Sequence, residues 1–271
     1  MADYALVNSW ERADRRLALL ERHLDPMTQR RMSMLGLRQG SRCLEVGGGR
    51  GSVAAWLSEQ VGPRGRVVAT DIDIRFLENI GQANFEARAH DITVDPLPDG
   101  EFDFVHTRWL LHHLPQPELA IRRMITALRP GGWLLLEEVD FFPVHTSTSR
   151  LYVDFMMAVT GTVVAASGRD CMWARALPSL VSEMGLYQVG GEGDFAVLQG
   201  GSPMAEFFLL TAEQVRDRML AVGALSAERF EKALELLKDS NFWAFAGAGV
   251  AVWGQRPIVE HEITKNRHLH T

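Results

Sequence analysis

The strongest constraint on the fold is a glycine cluster that directly follows a short apolar segment. Arg42–Val46 has the pattern of a buried strand, and residues 47–51 are Gly-Gly-Gly-Arg-Gly. Residues 53–61 then have the pattern of a helix, which the pair Gly62-Pro63 ends. A glycine turn between a strand and a helix brings backbone N–H groups close to a ligand, because a residue without Cβ allows that approach. The segment predicts a ligand-binding loop, the alternative being a tight turn that binds nothing.

Further apolar segments alternate with helical patterns as far as residue 139. The predicted strands are Arg66–Thr70, Phe85–Ala89, Glu101–His106 and Trp133–Val139, and the predicted helices between them are Ile74–Ile80 and Pro117–Leu128. Strands that are nearly continuous apolar runs and alternate with helices are typical of a parallel sheet covered on both faces. The right-handed crossover rule then predicts a doubly wound α/β fold.

The two ends of the chain extend this unit. Residues 5–35 have helical spacing, and Asp25-Pro26 is expected to break that helix and begin a second one. Beyond residue 140 we predict helices at Tyr152–Val164 and Arg175–Met184, two helices within Glu213–Lys238, and strands at Leu186–Val189 and Val250–Gly254. We expect one domain over residues 1–256, made of N-terminal helices (1–38), a ligand-binding half (39–140) and a cap with the last strands (141–256). A polar tail (257–271) would follow.

Composition excludes several classes of protein. A chain of 271 residues with 46% hydrophobic residues can form a sizeable core, which excludes wholesale disorder. Cys43 and Cys171 are too few and too far apart for a disulfide framework or a cysteine-rich zinc site. The net charge of −6 argues against a nucleic-acid partner. The arginines between Arg12 and Arg31 alternate with acidic residues, and we interpret them as a solvated helix face.

The compartment is also predicted from these features. The N-terminus carries charges too early for a signal peptide, and no apolar segment is long enough to span a bilayer. We therefore expect a cytoplasmic protein that binds no membrane.

The glycine loop fits two ligand classes. Dinucleotide sites use G-x-G-x-x-G, and in that register Ser52 stands at the third glycine position. The register E-x-G-x-G-x-G is matched in full by Glu45 and three glycines of the loop. Asp71, at the end of the second strand, can accept hydrogen bonds from both hydroxyls of a ribose, and this holds for either glycine register. An NAD(P)-dependent oxidoreductase is therefore the alternative reading of the loop.

Further motifs follow in order along the chain. Asp91-Ile92 comes after the third strand, FDFVH (102–106) and LHHL (111–114) surround the end of the fourth, and LRPGG (128–132) precedes the fifth. With the glycine loop they resemble the motifs of the class I S-adenosylmethionine-dependent methyltransferases, especially UbiE-like and bacterial small-molecule enzymes. The resemblance covers residues 42–140. It implies a mostly parallel, seven-stranded Rossmann-like sheet with helical N-terminal and cap additions.

The resemblance also implies which residues bind the cofactor. Glu45 would lie near the amino end of the methionine moiety, Asp91 near the adenine amino group with Ile92 against the ring, and His106 close to the sulfonium. The implied binding set for S-adenosyl-L-methionine, with S-adenosyl-L-homocysteine as product, is Glu45, Gly47, Gly49, Gly51, Asp71, Ile72, Asp91, Ile92, His106 and Thr107.

The implied reaction is methyl transfer to O, N or C of a small, largely apolar or aromatic acceptor. The setting would be bacterial specialised metabolism or quinone-like chemistry, and the enzyme a monomer or a homodimer. Residues 106–109 lack the Asn/Asp-Pro-Pro-Tyr type motif of enzymes that methylate nucleic acid bases or glutamine amides. No cluster of carboxylates accompanies Asp140, so we expect no metal. A protein of this fold that binds the cofactor without transferring methyl is a further alternative.

An acceptor that must lose a proton needs a general base, and histidine ionises near neutrality. His113, after the fourth strand, and His145, after the fifth, are the candidates, each with a structural role as the alternative. Arg108 either holds an acidic acceptor group or forms an ion pair with Glu138 or Asp140.

The acceptor pocket is expected to come from parts outside the sheet. Its candidates are Phe141, Phe142, Tyr152, Phe155, Met156, Met157, Met172, Trp173, Phe207 and Phe208, for some of which plain core packing is the alternative. The resemblance adds a lid formed by Tyr4, Asn8 and Trp10.

Overall fold

A computed structural model describes residues 5–258. Tyr4 and most of the expected tail lie outside the described residues. The helices are α1 (Ala13–Met34), α2 (Ser52–Val61), α3 (Pro117–Ala127), α4 (Arg150–Val164), α5 (Leu177–Glu183), α6 (Pro203–Ala221) and α7 (Ala227–Lys238). The strands are β1 (Arg42–Val46), β2 (Arg66–Asp71), β3 (Phe85–Ala89), β4 (Phe102–Arg108), β5 (Leu128–Asp140), β6 (Tyr187–Gln199) and β7 (Trp243–Gln255).

Within the described part of the chain, the strands form a single seven-stranded sheet in the order β3-β2-β1-β4-β5-β7-β6. β7 pairs antiparallel with β5 and β6, and the other pairs are parallel. The strand order reverses between β1 and β4, and ligands of doubly wound folds bind at the carboxyl ends of the strands at such a reversal. The predicted doubly wound architecture is confirmed.

Helices cover both faces of the sheet. Val53 and Leu57 of α2 pack on one face, and Ile121 and Met124 of α3 pack on the other. A third apolar cluster lies in the cap, where α4 contributes Tyr152, Phe155 and Met156, each at most 1% exposed. These three cap residues were candidates for the acceptor pocket, and the structure places them in the core.

Helix α1 does not break at Pro26. A proline inside a helix leaves the carbonyl four residues earlier without its donor, and here that residue is Arg22. Pro26 and Arg22 are both exposed, so water can satisfy this carbonyl and the helix continues to Met34. The prediction of two helices over residues 5–35 is wrong. Residues 5–12 form turns and bends instead of a helix.

Other boundaries also differ from the predictions. Of the predicted helix Ile74–Ile80 only a 3₁₀ turn at Leu77–Asn79 forms. The carboxylate of Asp73 accepts the N–H of Arg75 at 3.3 Å, and such local bonds compete with helix formation. Strand β4 runs two residues beyond His106, because Arg108 pairs with Glu137 of β5.

The antiparallel strands β6 and β7 are longer than predicted because their glycines hide the strand pattern. Gly249 lies opposite Asp194, where a Cβ would be 2.7 Å from a carboxylate oxygen of Asp194. Gly190 leaves room in the same way for the ring of Trp253. Among residues 5–258, no helix combines the length and apolar content needed to cross a membrane.

Candidate cofactor and acceptor site

The glycine loop joins β1 to α2 at the point where the strand order reverses. Gly47, Gly49 and Gly51 have φ values of 75°, 55° and 95°, a region that glycine adopts without side-chain strain. The N–H groups of Gly47 and Gly48 donate to the carbonyl of Thr70 at 2.8 and 2.9 Å, which fixes the loop against β2. A Cβ built on Gly49 would meet nothing within 4 Å. The loop is therefore open to a ligand at Gly49.

Replacing Gly51 by alanine is expected to destabilise the protein more than replacing Gly36. Both residues have left-handed backbones, at φ values of 95° and 85°, and this conformation costs a non-glycine residue about 1 kcal/mol. At Gly36 the added Cβ meets nothing within 4 Å, whereas at Gly51 it would lie 2.6 Å from Cδ1 of Ile80. Urea unfolding of G51A and G36A measures the difference, and equal losses would contradict this account of the loop.

Asp71 ends β2 beside the glycine loop. Its Oδ2 accepts the N–H of Gly49 at 2.9 Å, and its Oδ1 accepts the N–H of Asp73 at 3.0 Å. Burial raises the pKa of Asp71, and these backbone donors oppose that rise. Each carboxylate oxygen retains a second lone pair for a ligand hydroxyl.

Asp91 and Ile92 follow β3 and lie on the same cavity as Ile72. Thr93 donates to Oδ1 of Asp91 from its backbone N–H at 2.9 Å and from its hydroxyl at 2.6 Å. Ile92 is 5% exposed, whereas Ile72 is 54% exposed and presents an apolar edge. A flat ring would meet two apolar side chains and one carboxylate here.

A buried charge network lies beneath the glycine loop. His106 is fully buried between two carboxylates: its Nδ1 is 2.6 Å from Oε2 of Glu45, and its Nε2 is 3.1 Å from Oε2 of Glu137. Burial disfavours the imidazolium, but the two carboxylates outweigh it and raise the pKa of His106 to about 9. Burial also opposes ionisation of Glu137, yet hydrogen bonds and nearby positive charge lower its pKa to about 2. His106 is therefore a cation that holds Glu45 and Glu137 in place.

Helix α1 completes this network. Thr28 donates to Oε2 of Glu137 at 2.5 Å, and Arg31 donates to Oε1 of the same carboxylate at 2.5 Å. Arg108 binds the Thr28 hydroxyl at 2.9 Å and Asp25 at 2.8 Å. The predicted ion pair of Arg108 with Glu138 or Asp140 is wrong, because α1 packs across the end of β4 and supplies nearer partners.

Helix α1 also contacts the glycine loop directly. Arg50 binds Asp14 at 2.6 Å and Glu21 at 3.1 Å. Ser52 donates its N–H to Glu21 at 3.1 Å and its hydroxyl to Asp25 at 3.0 Å. The N-terminal helix therefore packs directly on the glycine loop and is not separate from the ligand-binding half.

Glu138 organises the turn that follows β4. Its Oε1 accepts the N–H groups of Leu110 and Leu111 at 3.0 and 2.7 Å, and its Oε2 lies 2.5 Å from Nδ1 of His112. Trp109 begins the turn with φ of 54°, which is unusual for a residue with a side chain. Its ring meets Phe207 edge to face at 5.8 Å. The turn thereby sets an aromatic wall beside the strand ends.

A cavity of about 890 Å³ connects these parts. Its volume is near the upper end for small-molecule sites, which are roughly 300–1,000 Å³. The predicted cofactor residues that line it are Glu45, Gly47, Gly49, Asp71, Ile72, Asp91 and Ile92. Gly51, His106 and Thr107 lie outside the lining. Thr107 donates to the carbonyl of Val46 at 2.8 Å, so the structure gives it a place within the sheet.

The two candidate bases are in different surroundings. His113 lies on the cavity wall, and burial, then His112 and Arg16, lowers its pKa well below 6.5. His145 is exposed on the 3₁₀ turn Phe142–Thr146 and lies outside the cavity lining. Only His113 is therefore placed to meet a ligand.

The acceptor end of the cavity is mostly apolar. Of the predicted pocket residues, Phe141, Phe207 and Phe208 line it, as does Asn8 of the predicted lid. The expected segments (the N-terminal helices, 141–185 and 200–240) do supply this wall, but sequence reasoning did not single out most of its residues. These are Leu6 before α1, Arg16, Leu17 and Leu20 of α1, Val159, Thr160, Val163 and Val164 of α4, and Thr211 of α6.

Two missed features had a signal in the sequence. Glu137 and Glu138 are consecutive carboxylates in an apolar strand, and a parallel sheet buries both sides of such a strand. They are 4% and 1% exposed. Arg16 and Arg31 had no such signal: they were assigned to a solvated face, yet they are 3% and 4% exposed.

Asp140 is bound by an arginine in the structure. Its carboxylate accepts two hydrogen bonds from Arg175, at 2.8 and 2.9 Å. Within residues 5–258, no group of three or more histidine, cysteine or acidic side chains is arranged to hold a metal ion.

The fold and the site define an α/β protein whose glycine loop lies at the sheet edge where doubly wound folds bind their ligands. The profile of the methyltransferase domain family matches residues 11–186. The chain belongs to the class I S-adenosylmethionine-dependent methyltransferase family.

Curated relatives match part of the chain. The ubiquinone/menaquinone biosynthesis C-methyltransferase UbiE of Pseudomonas fluorescens (strain SBW25) is 35% identical over 135 residues, covering 47% of this chain and 52% of the relative. Methyltransferase str3 of Strobilurus tenacellus is 32% identical over 141 residues, covering 51% of this chain and 49% of the relative. The chain thus spans about half the length of the curated relatives it matches.

Solved structures share the fold at low sequence identity. The YcgJ protein of Bacillus subtilis has a TM-score of 0.56 at 15% identity, covering 83% of this chain and 96% of that protein. Phosphoethanolamine N-methyltransferase 2 of Haemonchus contortus, in complex with phosphomonomethylethanolamine and S-adenosylhomocysteine, has a TM-score of 0.53 at 16% identity, covering 90% of this chain and 52% of that chain. The [4+2]-cyclase SpnF has a TM-score of 0.51 at 18% identity, covering 85% of this chain and 81% of that chain.

Proposed function

We propose that the protein transfers the methyl group of S-adenosyl-L-methionine to O, N or C of a small, largely apolar or aromatic metabolite. The observation that carries this proposal is one continuous cavity. It joins the glycine loop and the carboxylates at the strand ends to an apolar chamber beneath α4 and α6. A cofactor and an acceptor can therefore meet in one continuous space.

The residues present fit this cofactor. Asp71 would accept hydrogen bonds from its ribose hydroxyls, and Asp91 and Ile92 would contact its adenine. The space beside Gly49 would let the ligand approach the backbone of the loop. Glu45 lines the cavity near the loop and is fixed by His106, so a carboxylate faces the amino-acid end. When bound, the cofactor supplies a methyl group activated by the adjacent sulfonium.

The protein's own contribution is positioning and exclusion of water. Helix α1 covers the glycine loop through Arg50 and Asp14, and Phe207 and Phe208 of α6 line the acceptor end of the cavity. Alignment of two reactants in a closed site lowers the entropic part of a barrier. Burial, His112 and Arg16 lower the pKa of His113, which keeps its ring in the neutral form that a general base needs and also makes it a weaker base than free imidazole.

Replacing Asp71 by alanine is expected to weaken binding of S-adenosyl-L-homocysteine by about 1–3 kcal/mol, or roughly 5- to 150-fold. The change removes the carboxylate that would accept the ribose hydroxyls and that holds the N–H of Gly49. Calorimetry measures the affinity. The exposed Glu78, outside the cavity lining, provides the control E78A for the loss of a nearby negative charge. Unchanged affinity in D71A would contradict the assignment.

Two alternatives predict different products. An NAD(P)-dependent oxidoreductase would bind NAD(H), but Ser52 stands where the dinucleotide pattern needs its third glycine, with its hydroxyl bound to Asp25. The second alternative is a protein that binds the cofactor without transferring methyl. The similar structure of SpnF, a protein described as a [4+2]-cyclase, supports this alternative.

Incubation with methyl-labelled S-adenosyl-L-methionine and a panel of phenols, quinols and amines tests the proposal. We expect labelled product in amounts equal to the S-adenosyl-L-homocysteine formed. Tight cofactor binding without labelled product would favour the non-transferring alternative.

We also propose a quinone-like or specialised-metabolic setting in the bacterial cytoplasm. The support is the resemblance to the UbiE proteins, whose name refers to ubiquinone and menaquinone biosynthesis.

A further inference from the structure

The buried charge network runs from the cavity to helix α1. Glu45 lines the cavity, and its Oε2 lies 2.6 Å from Nδ1 of His106. Nε2 of His106 lies 3.1 Å from Oε2 of Glu137, which also accepts the hydroxyl of Thr28 at 2.5 Å. Oε1 of Glu137 accepts a hydrogen bond from Arg31 at 2.5 Å. One end of the network is therefore at the cavity, and the other end is fixed on α1.

Only one side-chain oxygen of Glu45 is used inside the described part of the protein. Oε2 is bound to His106, whereas Oε1 accepts no hydrogen bond from residues 5–258. Because Glu45 lines the cavity, Oε1 is the oxygen left for a ligand. An ammonium forms charge-assisted hydrogen bonds with such a carboxylate. The amino-acid end of S-adenosyl-L-methionine carries an ammonium, so the direction in which Glu45 points bears on cofactor affinity.

Stability alone is a weak reason for this network. Glu45, His106, Glu137 and Arg31 are each at most 4% exposed, and burying charged groups costs desolvation that their mutual attraction often fails to exceed. The network does fix an orientation. Despite burial, the two carboxylates raise the pKa of His106 to about 9, and an imidazolium donates from both ring nitrogens. With Nε2 held by Glu137, Nδ1 holds Oε2 of Glu45 at a defined place.

We propose that Glu137 is a positioning residue for the cofactor, and that through His106 it directs Glu45 toward the ammonium of the amino-acid end. This inference rests on the proposed function and names a residue that acts on the same site without touching the cofactor. Glu137 lies outside the lining of the cavity, so its effect passes through the imidazole. Since Thr28 and Arg31 hold Glu137, the packing of α1 is connected to recognition of the amino-acid end.

The variant E137Q tests the inference with two ligands. The amide oxygen of glutamine can still accept from Arg31, but an N–H donor then faces Nε2 of His106, which can no longer donate there. Calorimetry measures the affinities for S-adenosyl-L-homocysteine and for 5′-methylthioadenosine, which has the same nucleoside and a thioether but no amino-acid end. We expect E137Q to bind S-adenosyl-L-homocysteine about five- to fiftyfold more weakly than wild type, and 5′-methylthioadenosine equally well.

A matched control is available on the same arginine. Glu192 of β6 accepts from Nε of Arg31 at 2.5 Å, and its other partner is Arg30 at the surface. The variant E192Q removes a carboxylate from Arg31 as E137Q does, but Glu192 has no contact with His106. Both ligands should bind E192Q with wild-type affinity.

A double-mutant cycle gives a readout that a purely structural role would not change. The variant E45Q should itself weaken binding of S-adenosyl-L-homocysteine, because it removes the charge that meets the ammonium. If Glu137 acts through Glu45, adding E137Q to E45Q should cause little further loss. Losses that simply add would show that the two residues act independently.

The other outcomes are also decisive. An equal loss for both ligands, an unchanged affinity for S-adenosyl-L-homocysteine in folded E137Q, or additive losses in the cycle would overturn the inference and leave the proposed function standing. Urea unfolding reports whether E137Q folds. If it does not, E137D, which keeps the charge but withdraws it from His106, should show the same selective loss at a smaller size, and no selective loss would overturn the inference. No binding of S-adenosyl-L-homocysteine to the wild-type protein would overturn the proposed function and this inference together.

Discussion

The variant H113Q is expected to lose about 10²- to 10⁴-fold in kcat while its affinity for S-adenosyl-L-homocysteine stays unchanged. Removal of a general base has an effect of this size. His113 lies on the cavity wall and is neutral near pH 7, because burial and nearby positive charge lower its pKa. The change removes a proton acceptor without altering the glycine loop or the strand-end carboxylates. Turnover with labelled cofactor, at saturating cofactor, measures the loss.

The pH profile gives a second readout for His113. Because its pKa lies below the ordinary 6.5, the wild-type rate should fall with acid only below that pH. H113Q should lose this acid limb. H145Q is the control, since His145 is exposed and outside the cavity lining, and it should keep the full rate. Full activity in H113Q would show that positioning alone suffices for the reaction.

The variant H106L is expected to lower the free energy of unfolding by about 3–5 kcal/mol, the range for breaking a buried ion pair by removing one partner. Glu45 and Glu137 are 3% and 4% exposed and face the imidazole from both sides. Leucine would leave both carboxylates buried next to an apolar group. Urea unfolding at pH 6 measures the loss, and H145L serves as the control at an exposed histidine.

The contribution of His106 should depend on pH in a defined direction. Its pKa is raised in the folded protein from 6.5 to about 9. The imidazolium therefore stabilises the fold fully below pH 6.5, and this stabilisation is lost as the pH rises to about 9. It amounts to about 3 kcal/mol. The difference in unfolding free energy between wild type and H106L should shrink by that order over this window. A constant difference would show that His106 is neutral in the folded protein.

The fold of residues 39–140 follows closely from local sequence signals. Arg42–Val46 and Phe85–Ala89 have the predicted boundaries, because glycine, proline and apolar runs act within a few residues. The lengths of β6 and β7 were underestimated, since their glycines lack the side chains by which strands are recognised. Pro26 was overestimated as a helix breaker, because the cost of a proline depends on whether the freed carbonyl reaches water.

The site divides in the same way. Seven of the ten residues predicted at the glycine loop and the strand ends line the cavity, because their positions follow from the topology of the sheet, whereas Gly51, His106 and Thr107 lie outside the lining. The partners of Glu137 on α1 and the cavity position of Arg16 were not, since they depend on how a helix distant in sequence packs across the strand ends. His113 and His145 were indistinguishable in the sequence, and the packing of the turns after β4 and β5 separates them.

We propose that this cavity holds S-adenosyl-L-methionine rather than a dinucleotide. Calorimetric titration of the purified protein with S-adenosyl-L-homocysteine and, separately, with NAD⁺ tests it most directly. We expect saturable binding of S-adenosyl-L-homocysteine at one site per chain, and no heat of binding with NAD⁺. Saturable binding of NAD⁺ with none for S-adenosyl-L-homocysteine would contradict the claim.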